Sequence, residues 1–447
     1  MRLYVDELYV DELYADEFDV DEALIRVDEN VKTISVPGQA SVSSQTWYLL
    51  CLVSFVAPIG IQTVLLPWLV VVEMQASGAA LGLVQFCLQL PAIFLILVGG
   101  LLADRVDRAK ILIVSHGVGA IPPLALAFGI FLDALSLPLI MAYAIAMGTL
   151  TAFAQPARDG MLNQIAQEQL QRAVTITMGL TFGGQVVGFL LGGTAESLGP
   201  SVLLIAQALG MLLGIGFAVK LLPLGVAQRA AIAHQSQTGS GLAILEGLKW
   251  VVASSSMLPI LLLVFMMSLL YGGAYMVLVP VVARDAYGAG AAEIAQCFVA
   301  FVGGTILVTY LLVQIGGLAN PLRAFPLALV GGGGCLILAS MATEFEYFLA
   351  SLVLWGMCGA VAMSMSRTLL QQAAPEAYRS RVLAIFSLAN LGGMPIGGLL
   401  LGYSSLVFGG QASLWAVALA MTLVVVIFQS TRTLGLWSQE PINESTL

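Results

Sequence analysis

Residues 100–112 read Gly100-Leu101-Leu102-Ala103-Asp104-Arg105-Val106-Asp107-Arg108-Ala109-Lys110-Ile111-Leu112. Five of the seven residues from Asp104 to Lys110 are charged, and the apolar runs on either side reach back to about Leu81 and forward to about Leu132. Each run is long enough for a membrane-spanning helix, which needs ~20 residues. A charge at the bilayer centre costs ~2.5–3.5 kcal/mol or more. The stretch therefore predicts a short turn between two transmembrane helices, on the cytoplasmic side because three of its charges are positive.

The composition is that of an integral membrane protein. Of 447 residues, 59% are hydrophobic and 10% are charged, with a mean hydropathy of +0.96, whereas a soluble domain has about 25% charged residues. The net charge of −9 is concentrated near the start, because eleven of the 26 acidic residues precede residue 30. The rest is nearly balanced, so we expect no nucleic-acid partner. The five cysteines lie in or beside apolar runs without metal-ligand spacing, which indicates buried side chains, with neither a metal site nor a cofactor.

The first 45 residues are predicted to be a separate acidic tail. Leu3-Tyr4-Val5-Asp6-Glu7 recurs at Leu8-Tyr9-Val10-Asp11-Glu12 and then decays. A period of five fits neither helix nor strand, and repelling acids with little to bury favour disorder. Two hypotheses remain open for this tail, a gating or recruiting element and a tandem repeat with little role.

The remaining apolar runs predict an all-α integral membrane protein with twelve transmembrane helices. Residues 46–222 form the first six-helix bundle, 223–256 a cytoplasmic linker, 257–432 the second bundle, and 433–447 a cytoplasmic tail; residues 242–252 of the linker are amphipathic and predict an interfacial helix. Of the 17 basic residues only Arg284 falls on the outer side, which predicts that both termini are cytoplasmic. The predicted helices lie near 47–72, 79–103, 111–132, 137–156, 173–194, 200–222, 257–282, 292–316, 324–342, 346–369, 381–407 and 411–431.

The two bundles repeat each other. Residues 156–174 are echoed by residues 366–382, each with a helix that ends at an Arg and a Gly-rich helix after a polar loop. Residues 100–104 are likewise echoed by residues 316–320, with Asn320 in place of Asp104. Two pseudo-symmetric halves predict a transporter with its site at their interface, near the bilayer midplane.

The charged turn resembles the signature loop of the major facilitator superfamily, Gly-x-Leu-Ala-Asp-Arg-x-Gly-Arg-Lys-x-x-Leu. Asp107 stands where that pattern has Gly. Residues 66–70, 155–158 and 375–382 are similar to the branch that contains macrolide efflux proteins and the enterobactin exporter. The resemblance covers about residues 46–432 and implies export driven by a proton gradient. The matching residues of the loop are Gly100, Leu102, Ala103, Asp104, Arg105, Arg108 and Leu112.

The resemblance also implies a gating role for Asp104. In this family such a carboxylate meets the cytoplasmic start of helix 11, where an anion faces the positive end of the helix dipole. Arg105 or Arg108 would then pair with Asp159, or Arg158 would pair with Asp104. The alternative is that these charges only fix the topology.

A glycine motif lies on the predicted fifth helix. Gly184, Gly188 and Gly192 recur every four residues and are followed by Gly193. The run resembles the antiporter motif of facilitator-family exporters, with Phe189 at its Pro position. Small residues at this spacing also let two helices pack closely, so plain helix packing remains the alternative.

No Asp, Glu, Lys or His lies in the middle of any predicted span, so the cavity is expected to be lined by neutral polar and aromatic groups. Such a cavity favours large, apolar or neutral cargo. Each of these side chains has the alternative of a hydrogen bond to a neighbouring helix. The candidate cavity residues are Gln62, Gln85, Gln89, Tyr143, Gln185, Tyr271, Tyr275 and Asn390.

These features favour a monomeric secondary exporter of hydrophobic small molecules, such as drugs or siderophores, coupled to protons. The absence of a Walker sequence and of a catalytic triad argues against a primary pump or an enzyme. Two alternatives stay open, a lysophospholipid transporter or flippase, and a degenerate transporter that acts as a membrane sensor. The expected location is a bacterial inner membrane.

Overall fold

The computed structural model describes residues 42–166, 170–224, 254, 257–374 and 379–433. Residues 1–41 of the acidic tail, the predicted interfacial helix at 242–252 and residues 434–447 of the C-terminal tail lie outside these ranges. The first described helix begins at Val42, a few residues before the predicted start of the first bundle.

The first half of the chain contains six membrane-length helices. Helix α3 is broken at Ala120, where Pro122 and Pro123 open its second segment. A single helical turn, Ala195–Leu198, precedes α6. The helices are α1 (Val42–Pro67, continued by the π-helical turn Trp68–Glu73), α2 (Gly78–Arg105), α3 (Arg108–Gly119 and Ile121–Phe131), α4 (Leu137–Ala166), α5 (Leu170–Gly192) and α6 (Pro200–Val219).

The second half repeats this order with six more. Its first helix, like α1, contains π-helical segments. The helices are α7 (Met257–Met267, π-helical Ser268–Gly272 and Ala274–Leu278, then Val279–Tyr287), α8 (Ala291–Gln314), α9 (Pro321–Met341), α10 (Phe345–Ala373), α11 (Arg379–Phe408) and α12 (Gly410–Thr433).

The predicted count of twelve spans is confirmed for the part of the chain that the structure describes. The spans also carry large apolar side chains on their exposed surfaces, as a surface that faces lipid requires. Phe94, Phe131 and Leu213, for example, keep 68%, 78% and 65% of their surface exposed. Helices also satisfy their own backbone hydrogen bonds, as the bilayer requires.

The charged turn is compact because it is capped from within. The side chain of Asp107 accepts a hydrogen bond from the Ala109 backbone N–H at 3.0 Å and is 4% exposed. It is the N-cap of α3, and Asp is among the residues that cap helix N-termini best. The departure from the family's Gly therefore supplies a helix cap.

Equivalent helix pairs pack through glycine in both halves. A Cβ on Gly148 of α4 would lie 1.8 Å from the Leu88 carbonyl oxygen of α2. In the second half, a Cβ on Gly356 of α10 would lie 2.0 Å from the Phe301 carbonyl oxygen of α8. Only glycine permits such approach, so the α2–α4 and α8–α10 contacts repeat the same packing rule.

The bundle has two ends, which we call the motif end, with residues 105–108, and the opposite end, with residues 74–77. Toward the opposite end the two halves touch. A Cβ on Gly82 of α2 would lie 2.4 Å from the Gly398 carbonyl oxygen of α11. On the other side, the rings of Phe189 (α5) and Phe298 (α8) are 5.6 Å apart. These contacts close the space between the halves at the opposite end.

Candidate functional site

Two adjoining cavities lie between the halves. One, of about 180 Å³, is lined mainly by α1, α2 and α4. The other, of about 340 Å³, is lined mainly by α7, α8, α10 and α11. Both are lined by Met276, so they form two compartments of one site with one wall from each half.

Part of the first-half wall is a closed hydrogen-bond cluster. Tyr143 Oη donates to Gln62 Oε1 at 3.0 Å, and Gln207 Nε2 donates to Tyr143 Oη at 2.8 Å. All three residues are at most 5% exposed. Gln62 lines the smaller cavity, whereas Tyr143 binds the two glutamines together behind it. For Gln62 and Tyr143 the structure thus supplies the neighbouring-helix partner that was the alternative to a substrate contact.

Two other glutamines on this wall are differently placed. Gln85 and Gln89 lie one turn apart on α2, and both line the smaller cavity. Gln85 is 2% exposed. Its Oε1 and the Nε2 of Gln89 are buried, and neither atom has a hydrogen-bond partner among the described residues. Buried polar atoms normally find a partner, so this pair needs an explanation.

The second-half wall is aromatic. The ring of Tyr275 lies 5.0 Å from that of Phe298 and 4.5 Å from that of Phe301, centroid to centroid. Tyr271 and Trp355 meet edge to face at 5.8 Å and 83°. Four methionines complete the lining: Met267, Met276, Met363 and Met394.

Three hydroxyls of this second wall already donate to backbone oxygens. The hydroxyl of Tyr271 donates to the Leu329 carbonyl, and that of Ser268 donates to the Asn390 carbonyl. Thr305 Oγ1 donates to the Phe301 carbonyl oxygen at 3.1 Å. Tyr271 therefore presents ring surface to the cavity rather than an available hydroxyl.

The structure brings most of the predicted cavity residues to this site. Gln62, Gln85 and Gln89 line one compartment. Tyr271, Tyr275 and Asn390 line the other. Gln185 is half-buried on α5 and lines neither compartment, and Tyr143 lies behind the wall.

At the opposite end a carboxylate bridges the halves. Glu196, just after α5, accepts a hydrogen bond from the Ala291 backbone N–H at the first turn of α8, at 3.1 Å. The same oxygen, Oε1, accepts from Trp68 Nε1 at 3.2 Å. An anion at a helix N-terminus is stabilised by the helix dipole. Glu196 therefore fastens the first half to the start of a helix in the second.

Arg284 of α7 makes a second connection at this end. Its Nη1 donates to the backbone oxygens of Val71 and Ala76, at 2.8 and 2.9 Å. The guanidinium also pairs with the neighbouring carboxylate of Asp285 at 2.6 Å. The predicted lone outer cation thus holds the α1–α2 turn against α7.

At the motif end the charges are less engaged. Asp104 keeps 62% of its side chain exposed and lies 3.9 Å from Arg108. Arg108 also donates to the Gly160 carbonyl oxygen at 3.0 Å. The contact implied between Asp104 and the start of α11 borders residues 375–378, which lie outside the described ranges.

The ion pairs implied for Asp159 and Arg158 differ from what is observed. The guanidinium of Arg158 lies 4.5 Å above the ring of Phe55, so it makes a cation–π contact and no pair with Asp104. Asp159 is exposed, and it forms no ion pair with Arg105 or Arg108 among the described side chains. The Phe55 ring of α1 therefore lies where an anionic partner of Arg158 was expected.

The glycine motif faces α1 of its own half. A Cβ on Gly188 would lie 2.6 Å from Gly60 Cα, and one on Gly192 would lie 2.8 Å from Val64 Cβ. A Cβ on Gly184 would touch Val56 at 3.4 Å, while one on Gly193 would lie 2.9 Å from Ala295 of α8. Three of the four positions therefore serve close packing of α5 on α1, and Gly193 lies at the boundary between the halves.

Several residues of the site were missing from the sequence prediction. Gln207 is a glutamine in the middle of an apolar helix, which is a readable signal. Arg284 was assigned to the outer side without a role, and Glu196 was not among the candidate site residues. Trp355 gave no signal, because one aromatic in an apolar run is indistinguishable from ordinary core.

Known proteins resemble this chain in sequence. The profile of a family described as transmembrane secretion effector matches residues 37–444. The chain is 27% identical to the enterobactin exporter EntS of Salmonella typhi over 317 residues, which are 69% of this chain and 72% of that protein. It is also 27% identical to the EntS of Escherichia coli O1:K1 over 342 residues, 74% of this chain and 78% of that one.

Solved structures share the fold. The nucleoside transporter NupG aligns with a TM-score of 0.67 at 13% identity, over 88% of this chain and 99% of that structure. A bacterial homologue of the human lysosomal transporter Spinster, inward-facing and unoccupied, aligns with a TM-score of 0.64 at 14% identity, over 90% and 100%. At these identities the likeness concerns the arrangement of helices alone.

Proposed function

The chain belongs to the transmembrane secretion effectors, a family of the major facilitator superfamily, and from this premise we propose that it exports hydrophobic, uncharged small molecules by proton-driven alternating access. It is a multi-pass membrane transporter and no enzyme. We propose its cargo, its coupling ion and its direction of transport.

The observation that carries the proposal is the cavity between the halves. Its described lining contains glutamine, threonine, aromatic and methionine side chains but no Asp, Glu, Lys, Arg or His. Removing a charged cargo from water without an opposite charge to pair it is costly. Together the compartments have the size of a drug-like ligand site, ~300–1,000 Å³.

The closed opposite end corresponds to one of the two states of an alternating-access cycle, the state in which cargo enters. Glu196 and Arg284 bridge the halves there, and the α2–α11 glycines seal the gap. We infer that the motif end is cytoplasmic from the positive charges of its loops. In that orientation cargo enters from the cytoplasm, and the opposite end must open to release it.

The contacts of Glu196 must break for that end to open. Its carboxylate holds the first turn of α8, where the positive end of the helix dipole stabilises it. Asp104 is the candidate for the same role at the motif end, on the strength of the family resemblance.

The two alternatives receive less support. A phospholipid headgroup carries a phosphate, and the described cavity lining contains no cation to pair with it. A sensor derived from a transporter would not need a cavity with two chemically distinct walls. We place the protein in a bacterial inner membrane, with both termini cytoplasmic, and propose that it acts as a monomer.

The test is efflux of Nile red, an uncharged apolar dye, from cells that express the chain, with and without a protonophore. We expect dye retention to fall on expression and to recover when the protonophore is added. A Gln185→Leu variant, altered away from the cavity, serves as the expression-matched control and should export normally. Export that ignores the protonophore would overturn proton coupling, and no export at all would overturn the proposed cargo class.

A further inference from the structure

The two walls of the cavity make different chemical demands, and from them we infer the class of cargo. We propose that the cargo is an uncharged molecule with a planar aromatic body and one polar edge, and that this edge carries both a hydrogen-bond donor and an acceptor. This inference rests on the proposed export function and specifies the molecule that the same site would recognise.

The polar edge follows from α2. Gln85 Oε1 can only accept a hydrogen bond and Gln89 Nε2 can only donate one. Both atoms are buried and have no partner among the described residues, and the two glutamines belong to the lining of the smaller compartment. Residues four apart on a helix share one face, about 5–6 Å between Cβ atoms. A single ligand edge with an N–H or O–H beside a carbonyl or sulfonyl oxygen would satisfy both.

The two glutamines differ in this respect from the other buried amides nearby. Gln62 and Gln207 are held by Tyr143 and by each other. Leaving a buried polar atom unsatisfied destabilises the folded state. Gln85 and Gln89 carry that cost in the described structure, and a matching ligand removes it.

The aromatic body follows from the facing wall. Tyr271, Tyr275, Phe301 and Trp355 offer ring surface, and the hydroxyls of Ser268, Tyr271 and Thr305 are spent on backbone oxygens. Rings of this kind favour stacked or edge-to-face partners. The methionines of the same wall adapt to different outlines, so this half selects for planarity more than for one shape.

Three dyes that share one naphthalene ring system test separately for the hydrogen-bond donor and for the absence of charge. Dansylamide is uncharged, and its sulfonamide carries N–H donors beside oxygen acceptors. Its N,N-dimethyl derivative keeps the ring and the acceptors but has no donor. The parent dansyl sulfonate is an anion. Binding to the purified full-length protein in detergent micelles is followed by dansyl emission excited through tryptophan, since Trp355 lies in the cavity wall.

We expect the wild type to bind dansylamide about 3- to 10-fold more tightly than the dimethyl derivative, as one net hydrogen bond allows. The sulfonate should bind more weakly than either. Gln85→Leu should abolish the preference for dansylamide while leaving the affinity for the dimethyl derivative nearly unchanged. Gln89→Leu, at a less buried position, tests the acceptor side of the edge and should weaken both uncharged dyes.

Two controls define the readout. Gln185→Leu removes an amide from α5 that lines neither compartment, and it should keep the wild-type preference. Tyr275→Leu removes a ring from the second wall, and it should weaken both uncharged dyes by the same factor. Elution as a single species on size exclusion shows that each variant is folded.

Equal binding of the two uncharged dyes by the wild type would overturn the inference, because the N–H donor of dansylamide would then gain nothing from Gln85. Tighter binding of the sulfonate would overturn it as well. Nile red export in cells separates the two proposals. Export without dye preference removes the cargo inference and leaves export standing. A preference that disappears in Gln85→Leu, without export, supports the binding site and removes the proposed export.

Discussion

Each end of this transporter has a carboxylate from the first half, and the two carboxylates differ in what they contact. At the opposite end, Glu196 follows α5 and holds the first turn of α8 in the other half. At the motif end, Asp104 near the end of α2 is 62% exposed and contacts only its neighbour Arg108 among the described residues. Asp104 lies in the last turn of α2 and Glu196 lies just beyond α5, and both helices border the second half. One carboxylate therefore joins the two halves, whereas the carboxylate at the other end pairs only within its own half.

A conformational cycle would break the contact of Glu196 and form a contact of Asp104 with the second half. When the opposite end opens, Glu196 must leave α8, and Asp104 becomes free to engage the start of α11 as the family resemblance implies. An alternation of this kind needs only that each contact be made in one state and lost in the other. The following three variants test it, and the first should have the largest effect.

Gly82→Val should block closure of the opposite end. A Cβ at Gly82 would lie 2.4 Å from the Gly398 carbonyl oxygen, which belongs to the backbone and cannot rotate away. Overpacking costs ~1–3 kcal/mol, so the closed population should fall by about 5- to 150-fold. Nile red export should therefore fall, and it is measured relative to the amount of protein in the membrane.

The matched control for that variant is Gly216→Val. A Cβ at Gly216 on α6 would meet nothing within 4 Å, so this variant should export normally. Wild-type export by Gly82→Val at equal expression would mean that the α2–α11 contact is not made in the transport cycle.

Glu196→Gln should loosen the same end more gently. The amide oxygen can still accept from Ala291, but the charge that favours the helix dipole is gone, which is worth ~0.3–1 kcal/mol. A cysteine placed at Ala295, which is 2% exposed beside Gly193, reports opening through its rate of maleimide labelling. We expect that rate to rise about 2- to 5-fold.

Glu346→Gln is the control for the loss of charge. Glu346 lies in the first turn of α10, on the same end of the molecule, and is exposed. Its substitution should leave the labelling rate at Ala295→Cys unchanged. If both variants accelerate labelling equally, the effect comes from net charge and not from the contact with α8.

Asp104→Asn should have the smallest effect on the described state. The carboxylate is mostly exposed and its pair with Arg108 is long, so labelling at Ala295→Cys should change by less than about twofold. Export should nevertheless fall, because Asp104 is expected to contact the start of α11 when the opposite end is open. Asp133→Asn, an exposed acid with a positive φ that Asn tolerates, is the control. Full export by Asp104→Asn would leave topology as the only role of this charge.

The sequence predicted the number and order of helices because the alternation of apolar runs and charges is a one-dimensional signal. The predicted helix ends were less accurate where a helix extends beyond the bilayer. The fourth helix was predicted to end at residue 156 but continues to Ala166 through Pro156. Length beyond the membrane has no hydrophobic signature, so it could not be read from hydropathy.

The site was predictable by residue type but not by role. A glutamine in an apolar helix is conspicuous, and Gln62, Gln85 and Gln89 were all selected for that reason. Whether such a side chain meets another helix or the cavity depends on how its helix is rotated, which the sequence does not state. The Tyr143–Gln207 contact and the unpartnered Gln85 are therefore distinguished only by the structure.

The π-helical segments in α1 and α7 bear on how chains of this fold vary in length. A π-helix closes its hydrogen bonds between residues five apart, so Trp68–Glu73 holds slightly more chain than an α-helix of the same rise needs. The same holds for Ser268–Gly272 and Ala274–Leu278. Deleting one residue there would let the helix revert to the α pattern while the flanking turns keep their neighbours. One-residue gaps in alignments of related chains belong in these three segments, whereas a gap elsewhere in α1 or α7 would rotate the cavity face away from its partner.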